Sequence, residues 1–514
     1  MFAKTVSYTL NGIDAEKIDI EVDIVSGMYK FTIVGLPSNS VKESKERVIS
    51  AIRNCNYHFS QSTYTINLAP ADLRKDEVGL DLSMAVAILQ ATKQMRCERL
   101  DKFGIIGELS LDGEVRPVRG VLPFAVAARR DGMEGLVVPR ENAREAALIK
   151  GLNVYGVDTL EEAADFLSHK IEIEPTYTDT EEIFSYSMED IEDMYDVKGQ
   201  YQVKRALEIA AAGGHNILML GPPGSGKTML ARRLPGILPE FVLEEALETT
   251  TLFSVAGLLN KYKNGIVTHR PFRAPHHTIS DIALIGGGST PKPGEVSLSH
   301  NGVLFLDELP EFKKSALEVL RQPLEDGFVT ISRAVSSLCF PAKFMLVASM
   351  NPCPCGYYGS DIEGHTCKCG IPQIIKYRSK VSGPLLDRID IHIEVPQIHY
   401  TDMMKEPTGE KSDVIRKKVN LARNIQLERF KKDKIFCNAQ MVTKHIRKYC
   451  SLDDESRGLL QQAIAKKGLS ARAHDRILKL ARTIADVEES EDIKFLHISE
   501  AVQYRNMDKK YWDN

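Results

Sequence analysis

Along residues 1–168 the apolar positions switch between two periods. Ile18 to Ile24 alternates apolar and charged side chains, and Phe31 to Val34 is a short run of β-favouring residues. A period of two predicts strands with one buried face. After the turn at Pro37, Val41 to Ile52 repeats its apolar positions every three or four residues, which predicts an amphipathic helix. Tyr64 to Leu68 reads as a further strand and Leu82 to Ala91 as an apolar helix. Residues 103–111 and 135–139 read as strands around a helix near 121–131. The pattern predicts an α+β domain over 1–168.

From about residue 195 the pattern changes. Residues 195–400 alternate wholly apolar strands, helices and glycine turns. A strand apolar at every position is buried on both faces, as in a parallel α/β sheet covered by helices. Residues 401–514 keep helical spacing and hold no convincing strand. The segment 169–194 reads as an acidic linker, because residues 171–200 carry ten acids and one base. A solvated helix face is compatible with the same count.

The chain has 514 residues, enough for about three domains, and its 43% hydrophobic content supplies more than one core. Lys and Arg number 66 against 70 acids, so bulk charge does not drive nucleic-acid binding, although a local basic face remains open. Residues 411–450 offer one, with twelve bases against three acids. No apolar run approaches the roughly 20 residues of a membrane helix. The N-terminus has no long apolar stretch and carries early acids, so no membrane partner and a cytoplasmic location are expected. The nine cysteines are then expected to stay reduced.

The strongest chemical signal is Gly221-Pro222-Pro223-Gly224-Ser225-Gly226-Lys227-Thr228, a GxxxxGK[ST] loop between an apolar strand and a helix. Its glycines let backbone N–H groups approach phosphate oxygens, and the following helix N-terminus adds positive potential. Lys227 would reach the β- and γ-phosphates of ATP, and Thr228 would ligate Mg²⁺. About eighty residues later an apolar strand ends in Asp307-Glu308. Asp307 suits Mg²⁺ and Glu308 the orientation of the attacking water. A third apolar strand, 344–350, ends at Asn351, which either positions that water or caps the strand. Arg388, beyond it in Gly383-Pro-Leu-Leu-Asp-Arg, is either an internal ion-pair partner or an arginine donated to a neighbouring subunit.

Cys353-Pro-Cys355 and Cys367-Lys-Cys369 place four thiols within seventeen residues, in a Cys-rich insertion at 352–371. Four thiolates suit a tetrahedral Zn²⁺; free thiols or a redox-labile pair are the alternatives. His365 is a reserve ligand. Because the nucleotide residues lie on separate strands, loss of this zinc is expected to spare nucleotide binding. The remaining cysteines read as packing residues. His276 and His277 are adjacent, and neighbours on a regular helix or strand point in different directions, so a structural or nucleotide-coupled role is expected over a shared metal.

The motifs GPPGSGKT, HRPFRAPHHTIS, GGGSTPKPGEVSLSHNGVLFLDELPEF, LRQPLEDG, NPCPCG, GPLLDRIDI and LSARAHDRILKLARTIAD resemble the magnesium-chelatase-like AAA+ ATPases of the ComM/YifB type over nearly the whole chain. The resemblance implies an AAA+ P-loop core, a helical lid over 401–514, ATP with Mg²⁺, a homo-hexameric ring and, in ComM members, branch migration of DNA during natural transformation. Other recombination proteins are implied partners. It implies that Asn351 is the first sensor, Arg388 the arginine finger and Arg472 the second sensor, with Arg476 one turn later as the alternative. Residues 327–340 resemble the hairpin that enters the ring pore. Arg333 near its tip is then a DNA candidate or an exposed turn arginine. The N-terminal domain resembles the Lon-protease (ribosomal S5 domain 2-like) fold in Gly107-Glu-Leu-Ser-Leu-Asp-Gly-Glu-Val-Arg-Pro-Val-Arg-Gly, but Gly79 and Phe124 stand where that family places its Ser and Lys. A Ser–Lys dyad needs both groups, so no peptidase activity is expected. The competing readings are a metal-chelatase motor subunit acting on a protein partner and an ATP-dependent protease.

Overall fold

The computed structural model describes the chain except residues 74, 76–78, 179–191, 260–261, 263–264, 289–290, 333–336, 360–365, 398–408, 434, 468–470 and 506–514, and the side chains of 466, 467 and 471. The alternating stretches near the N-terminus form a seven-stranded sheet. Its order is Lys30–Val34, Ser62–Ala69, Asp14–Ser26, Phe2–Asn11, Phe103–Ile105, Gly135–Pro139 and Asn153–Val157. Phe2–Asn11 and Asp14–Ser26 pair antiparallel through a tight turn, whereas 103–105, 135–139 and 153–157 run parallel, joined by helices. Helix Asp81–Ala91 is buried at all but one position, Gln90, so it forms the centre of the core and not a surface layer.

The second sheet is wholly parallel, ordered Phe272–Arg273, Val303–Leu306, Met345–Met350, Ile217–Leu220 and Ile391–Glu394. Its three central strands are buried at every residue, which accounts for their unbroken apolar runs. One face, through Ile217, Met219, Val303, Phe305 and Val347, shares a core with helix Tyr201–Gly213 and the C-terminal helices Ser412–Phe430 and Ala471–Val487. The other face, through Leu218, Leu220, Leu304, Leu306 and Leu346, packs on Leu309, Phe312, Leu317 and Leu385. All five strands end on the same edge, where ligands of open α/β sheets collect.

The two sheet units meet at a packed junction. Ala246 and Ile266 enter the core of Val121, Leu122, Ala125 and Leu148. Glu145 lies at the centre of this junction, accepting from Leu122 N at 2.9 Å and bonded to the Ser254 hydroxyl. Part of the acidic segment lies outside the described residues. Its end is docked: Asp193 Oδ1 accepts from Ser412 N at 2.8 Å, and Met194 is fully buried.

The basic stretch 411–450 is not the continuous free face its composition suggests. Arg423 is buried, Arg429 pairs with the buried Asp486, Arg416 pairs with Asp413, and Lys418 with Glu410. Helical packing turns Arg423 and Arg429 inward and surface acids pair with Arg416 and Lys418, leaving Lys417, Lys431, Lys432, Lys444 and Arg447 among the exposed ones.

Candidate active site

The strand Ile217–Leu220 delivers the phosphate loop to the carboxyl edge. A Cβ at Gly221 would collide with the carbonyl oxygen of Val395, so only glycine lets the loop leave between strands. Lys227 opens the helix Lys227–Arg233 and folds its ammonium back over the loop. It donates to Gly221 O and Pro222 O at 2.8 Å each, and to Asn351 Oδ1 at 3.2 Å. Burial lowers the Lys227 pKa to about 8, against the charges of Asp307 and Glu308, which hold it up. A phosphate would replace these carbonyl contacts and favour the cation.

Thr228 Oγ1 donates to Asp307 Oδ2 at 2.6 Å. A hydroxyl and a carboxylate meeting beside a glycine cradle fit Mg²⁺ bound to a nucleotide, with Thr228 and Asp307 as its protein ligands. Ser349, on the neighbouring strand, hydrogen-bonds the other Asp307 oxygen and fixes the carboxylate from behind. Glu308 adopts φ +54°, a left-handed conformation unusual for a non-glycine residue and typical of functional turns. Its N–H donates to Asp307 Oδ1 at 3.0 Å, and its carboxylate lies 3.4 Å from His277 Nδ1. Ser349 and the His277–Glu308 contact were not legible in the motif, because they come from separate strands and loops.

Arg388, Arg472 and Arg476 lie at the opposite edge. Arg388 and Arg472 share one carboxylate: Arg388 Nη2 pairs with Glu325 Oε2, and Arg472 Nη2 is 3.6 Å from Oε1. Arg476 Nη1 is 3.1 Å from Asp390 Oδ1. Burial opposes ionisation of Asp390, but the charges of Arg476 and His215 hold its carboxyl well below the usual range. The three arginines line a cavity of about 510 Å³ together with Asn216, Gly302 and Met345, which precede or open their strands. The cavity therefore sits at the amino ends of the strands, with the sheet between it and the phosphate loop of the same chain. Arg333 and His365 lie outside the described residues.

The four cysteine sulfurs lie within 4.8 Å of one another. Cys353 Sγ is 3.3 Å from Cys355 Sγ and 3.7 Å from Cys367 Sγ, and Cys355 Sγ is 3.6 Å from Cys367 Sγ. Zn–S bonds of about 2.3 Å in a tetrahedron put sulfurs roughly 3.8 Å apart, so the donor set fits Zn²⁺. Burial raises the Cys355 thiol pKa, but backbone N–H groups of Tyr357 and Lys368 and the Cys353 side chain outweigh it and lower it to about 6. Burial and the neighbouring thiols push Cys367 up to about 12, and Cys369 is also raised by its neighbours, so Cys355 is the thiol most ready to meet a metal as thiolate.

Three matches cover this chain. The family described as magnesium chelatase, subunit ChlI, matches residues 193–403; its C-terminal counterpart matches 409–505, and subunit ChlI of Mg-chelatase matches 20–142. The competence protein ComM of Haemophilus influenzae is 44% identical over 499 residues, covering 96% of both chains. The uncharacterized protein YifB of Escherichia coli is 42% identical over 500 residues, 97% of this chain and 96% of its own. The chain belongs to the magnesium-chelatase-like AAA+ family of ComM and YifB. Membership of this AAA+ family implies ATP and Mg²⁺ as nucleotide and metal. The Lon protease of Halothermothrix orenii is 28% identical over 178 residues, 32% of this chain and 22% of that protease. Gly79 and Phe124, expected from the sequence where that family places its Ser and Lys, are both buried in the N-terminal unit. Phe124 is buried against Tyr8, and Gly79 lies against Ile106 and Val118. Among the described residues, no helix is long and apolar enough to cross a membrane.

Proposed function

We propose that this protein is an AAA+ ATPase that assembles as a homo-hexameric ring and uses ATP hydrolysis to remodel branched or single-stranded DNA. One observation carries the ring. The phosphate loop sits at one edge of the parallel sheet, and Arg388, with Arg472 and Arg476, sits at the other. Arginines on the far side of the sheet cannot serve their own phosphates. We assign them to a neighbour's phosphates, with Arg388, buried here against Glu325, acting as an arginine finger in trans. In this reading Glu308 orients the attacking water, Asn351 senses the γ-phosphate, and Thr228 and Asp307 hold Mg²⁺. Residues 1–168, the linker 169–194, the core 195–400 and the lid 401–514 are its working parts, and Cys353, Cys355, Cys367 and Cys369 hold Zn²⁺.

The DNA assignment rests on the relative named a competence protein and on the antiparallel hairpin Phe328–Ser332 with Ser337–Pro341. That hairpin is the element we assign to the pore; Arg333, which lies outside the described residues, is the phosphate contact we assign from the sequence. Leu338, one pair short of the hairpin's turn, lies against Gly12 and Ile13 of the first sheet's turn, so the outer part of the hairpin packs on the N-terminal domain. The test is ATPase rate with and without single-stranded and branched DNA, together with DNA binding across salt. Stimulation with a steep salt dependence supports the reading; no stimulation and no binding contradict it. The family's ChlI description favours a second reading, an ATPase motor subunit acting on a protein partner. ATPase activity indifferent to DNA but stimulated by a protein would favour it.

A further inference from the structure

The turn that carries the first cysteine pair lies against the phosphate loop. Strand Met345–Met350 runs into Asn351, and the chain then turns back, with Gly356 N donating to Cys353 O at 3.0 Å. Gly356 has φ +88°, and a Cβ there would collide with the ring of Pro223, the third residue of the phosphate loop. Cys353 is fully buried at the base of this turn. Two residues earlier, Asn351 accepts a hydrogen bond from Lys227. The second cysteine pair ends at the head of helix Ile371–Arg378, and Arg378 Nε donates back to Pro352 O at 3.0 Å. The first pair thus belongs to a wall of the nucleotide site, and the second to the helix that grips this wall from outside.

We propose that a Zn²⁺ ion bound by Cys353, Cys355, Cys367 and Cys369 sets the affinity of the phosphate loop for nucleotide, by pinning the Cys353–Gly356 turn against Pro223. The inference rests on the zinc reading above and reverses the expectation that zinc loss spares nucleotide binding. The described residues between Pro352 and Gly370 carry few apolar side chains, so a metal cross-link supplies order that packing does not. Without it, the cost of ordering the turn falls on nucleotide binding, as for any site that is not preorganised. Coupling of two ligands is reciprocal: bound nucleotide must tighten zinc by the same factor.

The experiment uses the full chain. Metal analysis gives zinc per chain, and a fluorescent ATP analogue with excess Mg²⁺ gives Kd before and after a zinc-selective chelator. The expected results are about one zinc per chain, a Kd raised about tenfold, equivalent to about 1.4 kcal/mol, on stripping, and recovery with added Zn²⁺ but not with more Mg²⁺. Gly356→Ala, which disturbs the contact and keeps all four thiols, is expected to retain zinc and raise Kd by a similar factor. If stripping unfolds the chain, Cys367→Ser, which removes one thiol of the second pair and leaves Gly356 and Pro223 intact, decides the matter: lost zinc with an unchanged Kd overturns the coupling. Zinc present with Kd unchanged by stripping or by Gly356→Ala overturns the coupling and leaves the zinc reading standing. No zinc in protein prepared under reducing conditions, and none taken up, overturns both.

Discussion

Lys227 and Glu308 act on different parts of one phosphate chain, so their losses separate. Lys227→Ala removes the cation that meets ground-state phosphates and should abolish nucleotide binding. Glu308→Gln keeps the loop, Thr228 and Asp307, so it should bind ATP normally and lose hydrolysis. Equal loss of binding in both, measured with a labelled nucleotide, would contradict these roles. Lys227 also predicts a pH dependence. Its pKa is lowered to about 8 by burial against the opposing charges of Asp307 and Glu308. Below that value the free protein already carries the cation that phosphate needs. Above it, binding must also take up a proton, so Kd should rise by up to tenfold per pH unit. A nucleotide titration that stays flat through this range would contradict the assignment.

Between elements, the junction of helix Arg140–Ala146 with helix Leu243–Ala256 is held by the buried Glu145. Burial raises the Glu145 pKa, although bonds from Ser254, Leu122 and Asn142 favour the carboxylate. A raised folded pKa means the folded state holds the proton more tightly. The contribution is therefore complete below the ordinary carboxyl range and is lost as pH rises through the raised value. Glu145→Ala leaves the Leu122 N–H and Ser254 unpaired in the junction and should cost about 1–3 kcal/mol in denaturant unfolding. Glu145→Gln should cost less and flatten the pH dependence; equal costs would argue against a neutral, hydrogen-bonded carboxyl.

The elements themselves were largely legible, because periodicity reports burial. The unbroken run Val303–Leu306 is a strand buried on both faces, and the alternation in Asp14–Ser26 is a strand with one. The phosphate loop and the cysteine quartet were legible for a different reason: their ligands are close in sequence. What was not legible depends on distant segments meeting. Ser349 reaches Asp307 from a neighbouring strand, His277 reaches Glu308 from a loop, and Gly356 meets Pro223 across more than a hundred residues. The basic stretch misled for the same reason, since Arg423 and Arg429 are partnered by helix packing that composition does not encode.

At the scale of the whole molecule, the account stands on sites divided between neighbours. Arg388→Ala should leave nucleotide binding intact and abolish hydrolysis. Mixed with Glu308→Gln it should recover part of the activity, because some interfaces then pair an intact Glu308 with an intact Arg388. Absence of recovery, with mixed assembly confirmed by labelled subunits, would contradict a finger acting in trans. The proposed coupling of the cysteine cluster to the phosphate loop would place metal status upstream of the same cycle. The central claim is that ATP turnover at this site drives rearrangement of DNA strands. The most direct measurement is strand exchange on a synthetic three-way or four-way junction, comparing the wild-type chain with Lys227→Ala. Wild type is expected to convert the junction in an ATP-dependent manner, and the variant not at all. Wild-type protein that hydrolyses ATP while leaving the junction unchanged, at a salt concentration where it binds that junction, would contradict it.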